Sequence, residues 1–308
     1  MADKEEHVRN RFYSLPQGWN ITFSVVLGLL SLLMLAPMVL VIVVSFSSEA
    51  SISRVGYQFI PEEWSLDGYR YLLKMGDQVG RSYIITIFYT VTGTLLSLTT
   101  MTMYAYVIAQ NRFRMKKFFT WILFFTMLFS GGLVPSYIMN TTILGLKNTV
   151  WIFLLPSLVS AYNVIILRTF IQTTIPESLF EAARIDGAGH WRIYFSITLP
   201  LFKAGIATIG LFNVVSRWND WFTGMLYIDN ARLIPLQTLL QKIQDQIEFL
   251  KTNTAVAATP DGIELLRNLP SNALRMSCTV IIVAPILMAY PFFQRYFVSG
   301  LTVGSVKG

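Results

Sequence analysis

Charged residues are scarce in this chain. Asp, Glu, Lys and Arg make up 13% of its 308 residues, whereas a soluble domain carries about 25%. This shortage argues against a soluble globular protein. The apolar residues that replace the charges are 54% of the chain and come in long runs, which is typical of a membrane protein with several spans.

Groups that support catalysis or metal binding are also few. The single cysteine, Cys278, lies inside an apolar run, so no disulfide framework exists. His7 and His190 have no metal-ligand partners at useful spacing, and no set of nucleophile, base and orienting group stands out. A GxxxxGK[ST] phosphate loop is also missing. We therefore expect a non-catalytic chain without cofactor or metal, which does not itself hydrolyse ATP.

Six apolar stretches are long enough to cross about 30 Å of hydrocarbon as helices. A signal peptide is the alternative for the first, but its apolar core is too long and no A-x-A site follows it. The sequence thus predicts an all-α integral membrane protein with six transmembrane helices. The stretches run from Asn20–Phe46, Ser82–Ala109, Phe118–Asn140, Thr149–Ile171, Lys203–Leu226 and Met276–Val298.

Proline and glycine interrupt several of these stretches. The two explanations are tolerated kinks with close helix packing, or broken helices that line a moving pathway. The residues concerned are Pro37, Gly131, Gly132, Pro135, Pro156, Pro285 and Pro291.

The distribution of Lys and Arg predicts the orientation. The short loop 111–117, NRFRMKK, has four positive charges and no acid. By the positive-inside rule this loop lies in the cytoplasm, and with six spans both termini and the 172–202 loop lie there too. The net charge of +7 is therefore explained by topology, and no nucleic-acid partner is expected.

The polar gap at 172–202 predicts a surface module of two helices. Thr174-Ile-Pro-Glu177 fits a capping box with Pro176 in the first turn. A helix should then run to about Asp186 and end at a left-handed Gly187. Leu179, Ala182, Ala183 and Asp186 share a face by spacing. We expect Glu181 and Arg184 to stand beside that face for ion pairs with a partner. An amphipathic segment before Pro200, which redirects the chain, consists of Trp191, Tyr194, Phe195 and Ile197.

By itself this module is equally consistent with a plain interfacial loop and with a docking site. Its sequence, EAARIDGAGHWRIYFSITLP from Glu181 to Pro200, resembles the EAA loop of bacterial ABC importer permeases, which couples the membrane pore to an ATPase. The resemblance implies that the first helix inserts into a groove on the ATP-binding subunit. The residues that match are Glu181, Ala182, Ala183, Asp186, Gly187, Ala188, Leu199 and Pro200.

The likeness covers most of the chain from about Ser82 onward. The segment from Ser130 to Pro156 resembles spans three and four of carbohydrate-importer permeases of the maltose-transporter class, in the subgroup with GGL-[IV]-P. The WNDW of Trp218 to Trp221 and the tail SGLTVGSVKG are also similar to that class. A type I ABC importer permease fold and oligosaccharide import into the cytoplasm are implied.

That resemblance also implies partners and a domain plan. The partners are a homologous second permease, two ATP-binding subunits, an extracytoplasmic sugar-binding protein and membrane lipid, at a bacterial cell membrane. Residues 1–19 form a cytoplasmic segment and 299–308 a cytoplasmic tail. The six-span domain is 20–298, with the coupling loop at 172–202 and outer loops at 47–81 and 227–275.

Polar and aromatic residues within the spans are candidates for the solute pathway. Arg217 and Asp220 lie one helical turn apart and can pair, either along the pathway or as a structural pair near the outer rim. Amide groups and aromatic faces suit the hydroxyls and the apolar ring face of a sugar, although Tyr and Trp are also ordinary interface anchors. The further candidates are Tyr162, Asn163, Asn213, Trp218, Asn219 and Trp221.

The outer loop 227–275 contains a helical repeat. It predicts either a helix against the bilayer and neighbouring loops or, by the family resemblance, a surface that meets the binding protein. The repeat consists of Leu236, Leu239, Leu240, Ile243, Ile247 and Leu250.

Three rivals remain for the function. A permease of the same architecture for peptides or polyamines would share the loop. A stand-alone secondary transporter should show inverted repeats, which the sequence does not show. A membrane enzyme would need the missing catalytic set.

Overall fold

The computed structural model describes residues 17–253, 259 and 271–304, with side chains left out at a few positions near the chain ends. Within these residues the secondary structure is helical, with one isolated bridge between Ser47 and Trp64. The all-α prediction is therefore confirmed for the described chain. The segments 1–16 and 305–308 lie outside the described residues, so the predicted terminal segments are covered only in part.

The helices are numbered α1 to α14 in chain order. Their bounds are α1 Gln17–Ser45, α2 Glu49–Val55, α3 Asp67–Lys74, α4 Gly76–Ala109, α5 Lys116–Leu128, α6 Leu133–Ile143, α7 Trp151–Leu154, α8 Ala161–Thr174, α9 Glu177–Ile185, α10 His190–Leu201, α11 Lys203–Trp218, α12 Phe222–Tyr227, α13 Leu236–Thr252 and α14 Ser271–Gly304.

Three helices are long and apolar enough to cross a membrane, namely α1, α4 and the part of α14 up to Pro291. Two bent pairs meet the same test together, α5 with α6 at 114° and α10 with α11 at 79°. The described part of the chain thus has three such helices, or up to five if each bent pair is one span. The predicted count of six helical spans is not confirmed.

The fourth predicted span, Thr149–Ile171, is not one helix. It divides into α7, with four residues, and α8, with 14 residues, and a helix of 14 residues covers only about 21 Å. Pro156 lies in the break, where a proline removes a backbone hydrogen-bond donor. The hydroxyl of Ser160 then caps α8 by accepting from the N–H of Asn163 at 3.4 Å.

The third predicted span bends between α5 and α6. Gly132 has a positive φ of 83°, a conformation that glycine adopts without strain from a Cβ atom. The sequence signal at Gly131–Gly132 therefore marks a broken helix rather than a mild kink. The fifth predicted span, Lys203–Leu226, also ends early, because α11 stops at Trp218 and α12 begins separately.

The described chain divides into two compact units, one holding residues up to 72 and from 271 to 280, the other the remainder. In the first unit the Glu49 carboxylate accepts from the backbone N–H of Asn272 at 2.9 Å and of Ala273 at 3.0 Å. This carboxylate satisfies free donors at the start of α14. Gly68 lies so close to α14 that an added Cβ would be 2.5 Å from the Ser277 hydroxyl.

In the second unit α4, α8 and α11 form the core. Fully buried apolar side chains come from all three helices, and residues of the 172–202 loop join the same cluster. The loop is therefore packed on the helix bundle and positioned by it. The buried members of this core cluster include Met101, Ile108, Leu167, Ile171, Phe180, Ala183, Ile193, Tyr194, Phe202 and Ile209.

Candidate functional site

Helix α9 begins without the predicted capping box. Thr174 is the last residue of α8, and Ile175 and Pro176 are extended, so the Thr174 hydroxyl does not cap α9. The residue before a proline avoids the helical region, which separates the two helices at this point. Glu177, the other half of the predicted box, accepts instead from the Asn111 amide at 3.0 Å.

The predicted end of α9 at Gly187 is confirmed. Gly187 has a φ of 77°, its N–H donates to the Arg184 carbonyl at 3.0 Å, and the N–H of Ala188 donates to the Ala183 carbonyl at 2.9 Å. These two bonds form a Schellman motif. The turn fixes the direction in which the chain leaves α9, and Ala188 packs against the core cluster there.

The outward face of α9 differs from the predicted one. Ala183 is buried and joins Phe180 on the side that contacts the bundle. The predicted outward face included both Ala182 and Ala183, and it is therefore wrong at Ala183. The exposed residues include Glu181, Ala182 and Ile185. We call these three, with Ser178, the outer face of α9; they follow i, i+3, i+4, i+7 spacing.

Ile185 was missed by sequence reasoning, although its side chain is 86% exposed. Its position in the helical pattern, four residues after Glu181, was the available signal. A large apolar side chain next to a small residue such as Ala182 suits close contact with another protein. The exposed Asp186 follows it at the helix end.

Arg184 contacts its own chain rather than projecting toward a partner. Its guanidinium donates to the Gln110 side-chain oxygen and lies 4.0 Å from the Glu177 carboxylate. Glu177 in turn joins Asn111, which accepts from Lys116 at 3.0 Å. The predicted role of Arg184 in an ion pair with a partner is therefore corrected: it ties α9 to the end of α4.

Helix α10 divides the predicted amphipathic face, because Tyr194 and Ile197 pack on the core cluster while Trp191 and Phe195 point outward. Trp191 and Phe195 are exposed, and their rings stack with centroids 5.9 Å apart. Ile193 and Tyr194 are buried on the other side, where the Tyr194 hydroxyl lies 2.7 Å from the Thr102 hydroxyl. The chain bends by 79° into α11 just after Pro200, so the redirection near this residue is confirmed.

Arg217 does not pair with Asp220. Its guanidinium donates to the Phe153 carbonyl at 2.6 Å, the Ser97 hydroxyl at 2.7 Å and the Ser157 carbonyl at 3.0 Å, and it is only 5% exposed. Two of these acceptors flank the break between α7 and α8, where carbonyls have lost their helical donors. Arg217 therefore holds the broken segment, and the i, i+3 pair prediction is wrong.

Glycine at position 93 makes this arrangement possible. A Cβ at Gly93 would lie 2.6 Å from an Arg217 guanidinium nitrogen. The Tyr89 hydroxyl donates to the Arg217 carbonyl at 3.0 Å, and its ring stacks on Phe153 at 4.6 Å. Helix α4 is thus shaped on one side to receive the guanidinium.

The remaining residues of the WNDW segment divide between structural and exposed positions. Trp218 is buried and donates to the Ile282 carbonyl at 3.0 Å. Asp220 accepts from the Thr223 N–H at 3.0 Å. Asn219 is exposed and accepts from the Gln237 amide at 3.1 Å, while Trp221 is 43% exposed.

The three remaining pathway candidates lie outside the WNDW segment, two on α8 and one on α11. Tyr162 is exposed in the first turn of α8, and Asn163 beside it is half-buried. Asn213 donates to the Ile209 carbonyl of its own helix at 2.9 Å. Of the eight candidates, Tyr162, Asn219 and Trp221 have exposed side chains that a solute can meet.

The 227–275 segment carries the predicted helix as α13, with Leu236, Leu239, Leu240, Ile243 and Ile247 buried. Shortly before α13 in the chain, Asp229 forms an ion pair with Lys147 at 2.9 Å. The spacing of the sequence did not predict this pair. The hydrogen bond and charge of Lys147 lower the pKa of Asp229, and Asp229 raises the pKa of Lys147. Asn148, at a φ of 57°, accepts from the N–H of Asp229 at 2.6 Å.

The described part of the chain contains no group of three or more His, Cys, Asp or Glu side chains that could hold a metal.

Comparisons with known proteins place the chain among transport proteins of the membrane. A family model described as "binding-protein-dependent transport system inner membrane component" matches residues 107–303. The polygalacturonan/rhamnogalacturonan transport system permease YtcP of Bacillus subtilis is 34% identical over 98% of this chain and 100% of its own. AraQ of Halalkalibacterium halodurans, an arabinooligosaccharide permease, is 26% identical over 94% and 97%.

A solved structure is also similar. The crystal structure of a bacterial ABC transporter involved in the import of the acidic polysaccharide alginate contains a chain with a TM-score of 0.76 and 32% identity. The match covers 91% of this chain and 97% of that chain. The likeness therefore extends over nearly the whole length of both chains.

Proposed function

We propose that this chain, which belongs to the family of binding-protein-dependent transport system inner membrane components, forms half of the membrane pore of an ATP-driven oligosaccharide importer. Its partners are a homologous second permease, two ATP-binding subunits and an extracytoplasmic sugar-binding protein. The chain itself is non-catalytic, and ATP hydrolysis belongs to the ATP-binding subunits. The termini and the 172–202 loop face the cytoplasm.

One observation carries the coupling role. Helix α9 is held to the bundle through Phe180, Ala183 and Arg184, while its outer face carries Glu181 and Ile185 into solvent. A helix fixed on one side and free on the other transmits a displacement to the elements it is packed on. We propose that it inserts into a groove on an ATP-binding subunit.

The packing suggests how the displacement travels. Ala183 and Phe180 share the core cluster with Ile108 of α4, Ile171 of α8 and Ile209 of α11. When ATP binding draws two such outer faces together, these three helices tilt as a packed group and the pathway opens outward. Hydrolysis resets them.

The names of the similar proteins support oligosaccharides as substrate. They name polygalacturonan or rhamnogalacturonan, arabinooligosaccharides and alginate. Exposed Tyr162, Asn219 and Trp221 supply the amide and aromatic groups that suit a sugar. The corresponding proposal for peptides or polyamines has no such support from the similar proteins.

The test is transport by the complete complex in proteoliposomes. Oligogalacturonides, alginate oligosaccharides, arabinooligosaccharides and a short peptide are supplied with the binding protein, and ATP hydrolysis is measured in parallel. We expect one of the sugar classes to be taken up and to stimulate hydrolysis. Uptake of the peptide alone would overturn the substrate proposal.

Glu181→Lys tests the docking face in the same assay. It reverses a charge on the outer face, so uptake and sugar-stimulated hydrolysis should fall together or the ATP-binding subunits should dissociate. Arg114→Glu is the matched control, because Arg114 is also exposed but lies in the 111–117 loop. Normal uptake with normal subunit retention in Glu181→Lys would contradict the coupling role.

A further inference from the structure

A cavity of about 530 Å³ lies between the end of α4, the 111–117 loop and the start of α10. Arg184 is its only lining residue from α9, and none of the outer-face residues Ser178, Glu181, Ala182 and Ile185 lines it. Its walls include Tyr106, Gln110, Arg112, Arg184, His190 and Trp191. None of the coupling or pathway roles above uses this space.

The rim of the cavity is cationic. Arg184 is partly neutralised by Glu177 at 4.0 Å, but Arg112 is exposed and makes no hydrogen bond or ion pair with any described residue. His190 adds a ring nitrogen 3.4 Å from the Tyr106 hydroxyl. No Asp or Glu is among the lining residues, so the charge of the rim favours an anion.

A buried donor at the cavity has no acceptor. Gln110 is 5% exposed, and its side-chain oxygen already accepts from Arg184. Its amide nitrogen has no hydrogen-bond partner among the described residues. Because an unsatisfied buried donor is costly, a ligand that places an oxygen here would remove that cost.

The cavity continues as an apolar groove. A second cavity, of about 660 Å³, shares Met103, Val107 and Phe113 with the first and reaches Thr100 and Val159. From Gln110 to Thr100 is ten residues of α4, or about 15 Å. The groove therefore joins a cationic end to an apolar channel along α4 and α5, which matches the two parts of an amphiphile.

We propose that this groove binds one anionic phospholipid. The phosphate lies at Arg112 and the Gln110 amide, and an acyl chain follows Met103 and Val107 toward Thr100. The exposed Trp191 stands at the mouth, where an indole ring suits the headgroup level. A cationic cluster next to membrane spans attracts anionic lipid. The assignment to the cytoplasmic leaflet, and only that, rests on the proposed function.

The bound lipid would contact the end of α4, the 111–117 loop and α10 together. These elements surround the site at which Arg184 anchors α9. The lipid thereby supports the base of the coupling helix rather than its docking face.

Photolabelling of the complete transporter tests the proposal. The complex is placed in phosphatidylcholine nanodiscs containing phosphatidylglycerol with a diazirine in its acyl chain, and the labelled peptides are identified by mass spectrometry. We expect labels within residues 100–113, competition by unlabelled phosphatidylglycerol and none by phosphatidylcholine. Competition by millimolar inorganic phosphate would overturn the proposal, because it would show a free-anion site.

Two variants make the test specific. Arg112→Glu and Arg114→Glu both remove a cation near the membrane surface and so weaken the general attraction of anionic lipid by a similar factor. Labelling should fall by about fivefold or more further in Arg112→Glu than in Arg114→Glu, because only Arg112 lines the cavity and can form a charged hydrogen bond with the phosphate. Val107→Trp should fill the groove and lower labelling, whereas Leu95→Trp, exposed elsewhere on α4, should not.

The outcomes separate this proposal from the transport function. Labelling equal in Arg112→Glu and Arg114→Glu overturns the lipid site, even when sugar uptake is normal. Labelling in the isolated chain but none in the full complex also overturns it and assigns the groove to a partner subunit. Specific labelling in a complex that takes up no sugar leaves the site standing and overturns the transport proposal alone.

Discussion

Arg217 is held by three oxygen acceptors from two segments of one unit, the hydroxyl of Ser97 and the carbonyls of Phe153 and Ser157. In hydrocarbon, a break in a helix is tolerated when other groups satisfy its backbone. A long side chain with five donors does this for the 155–160 break. Gly93 provides the space.

Arg217→Ala should therefore destabilise the protein more than Asp220→Asn does. Arg217→Ala removes charged donors from the Phe153 and Ser157 carbonyls, and a hydrogen bond to a charged group contributes about 1.5–3 kcal/mol; the carbonyls then keep the longer bonds from the Ser157 and Ser97 hydroxyls, at 3.2 and 3.4 Å. The amide oxygen introduced by Asp220→Asn can still accept from the Thr223 N–H. The coupling free energy between the two changes should be smaller than that of a direct ion pair, because the two side chains share no hydrogen bond and only the Asp220 N–H contacts the Arg217 carbonyl, at 3.2 Å. Thermal unfolding in detergent measures both single variants and the double variant. A larger coupling free energy would restore a direct Arg217–Asp220 interaction.

Ile185 gives a second prediction at this scale. Ile185→Glu places a charge on the outer face of α9, where the side chain contacts nothing that the bundle needs. The melting temperature should stay within about 2 °C of wild type, since surface changes are usually within ±0.5 kcal/mol. Retention of the ATP-binding subunits on purification should fall. Loss of folded protein instead would show that Ile185 packs within the chain.

Among the helices, α9 has a position that is fixed by the turn at its C-terminal end and by its contacts with the bundle. Its Schellman turn satisfies two carbonyls and directs the chain into α10, while Arg184 and Phe180 fasten it to the bundle. The same sequence that forms the turn, Asp186-Gly187-Ala188, also determines the angle between α9 and α10. The direction of the chain after α9 therefore depends on one residue with a positive φ.

Gly187→Ala and Gly189→Ala test this element as a matched pair. Neither Cβ would meet an atom within 4 Å, but Gly187 has a φ of 77° and Gly189 a φ of −72°. An alanine at position 187 should therefore add about 1–2 kcal/mol of backbone strain, whereas an alanine at position 189 should add none. Uptake and subunit retention should drop in Gly187→Ala and hold in Gly189→Ala. Equal effects would mean that the left-handed turn is not what the loop requires.

At the scale of the whole molecule, the orientation of the chain in the membrane determines which surfaces can contact which partners. The proposal places loop 111–117 and α9 inside, and the 47–81 and 227–275 loops outside. The long exposed apolar surface of α1 then faces lipid or the second permease. The outer helix α13 exposes a polar side with Phe249, which is where we place the contact with the binding protein.

Single cysteines in a Cys278→Ser background test the orientation. Ile60→Cys, Phe249→Cys and Arg114→Cys replace exposed side chains. An impermeant maleimide on intact cells should label positions 60 and 249, and position 114 only after permeabilisation. Labelling of position 114 in intact cells would reverse the topology and remove the docking role of α9.

Some features follow from the chain alone. Scarce charge and long apolar runs determine the class, the four cations of loop 111–117 predict the side, and a glycine after a helical pattern predicts the turn at Gly187. The helix α13 is likewise predicted from the local spacing of apolar residues alone. In each case the physical cause lies within a few consecutive residues, so reading along the sequence detects it.

Other features were decided by residues far apart in the chain. Arg217 reaches Ser97 and Ser157, not its neighbour Asp220, because the broken helix between α7 and α8 places several acceptors around the guanidinium. Ala183 is buried beside Phe180 against the bundle, which leaves Ile185 rather than Ala183 on the outer face of α9. Spacing on a helix shows which residues share a side, but only packing decides which side is buried.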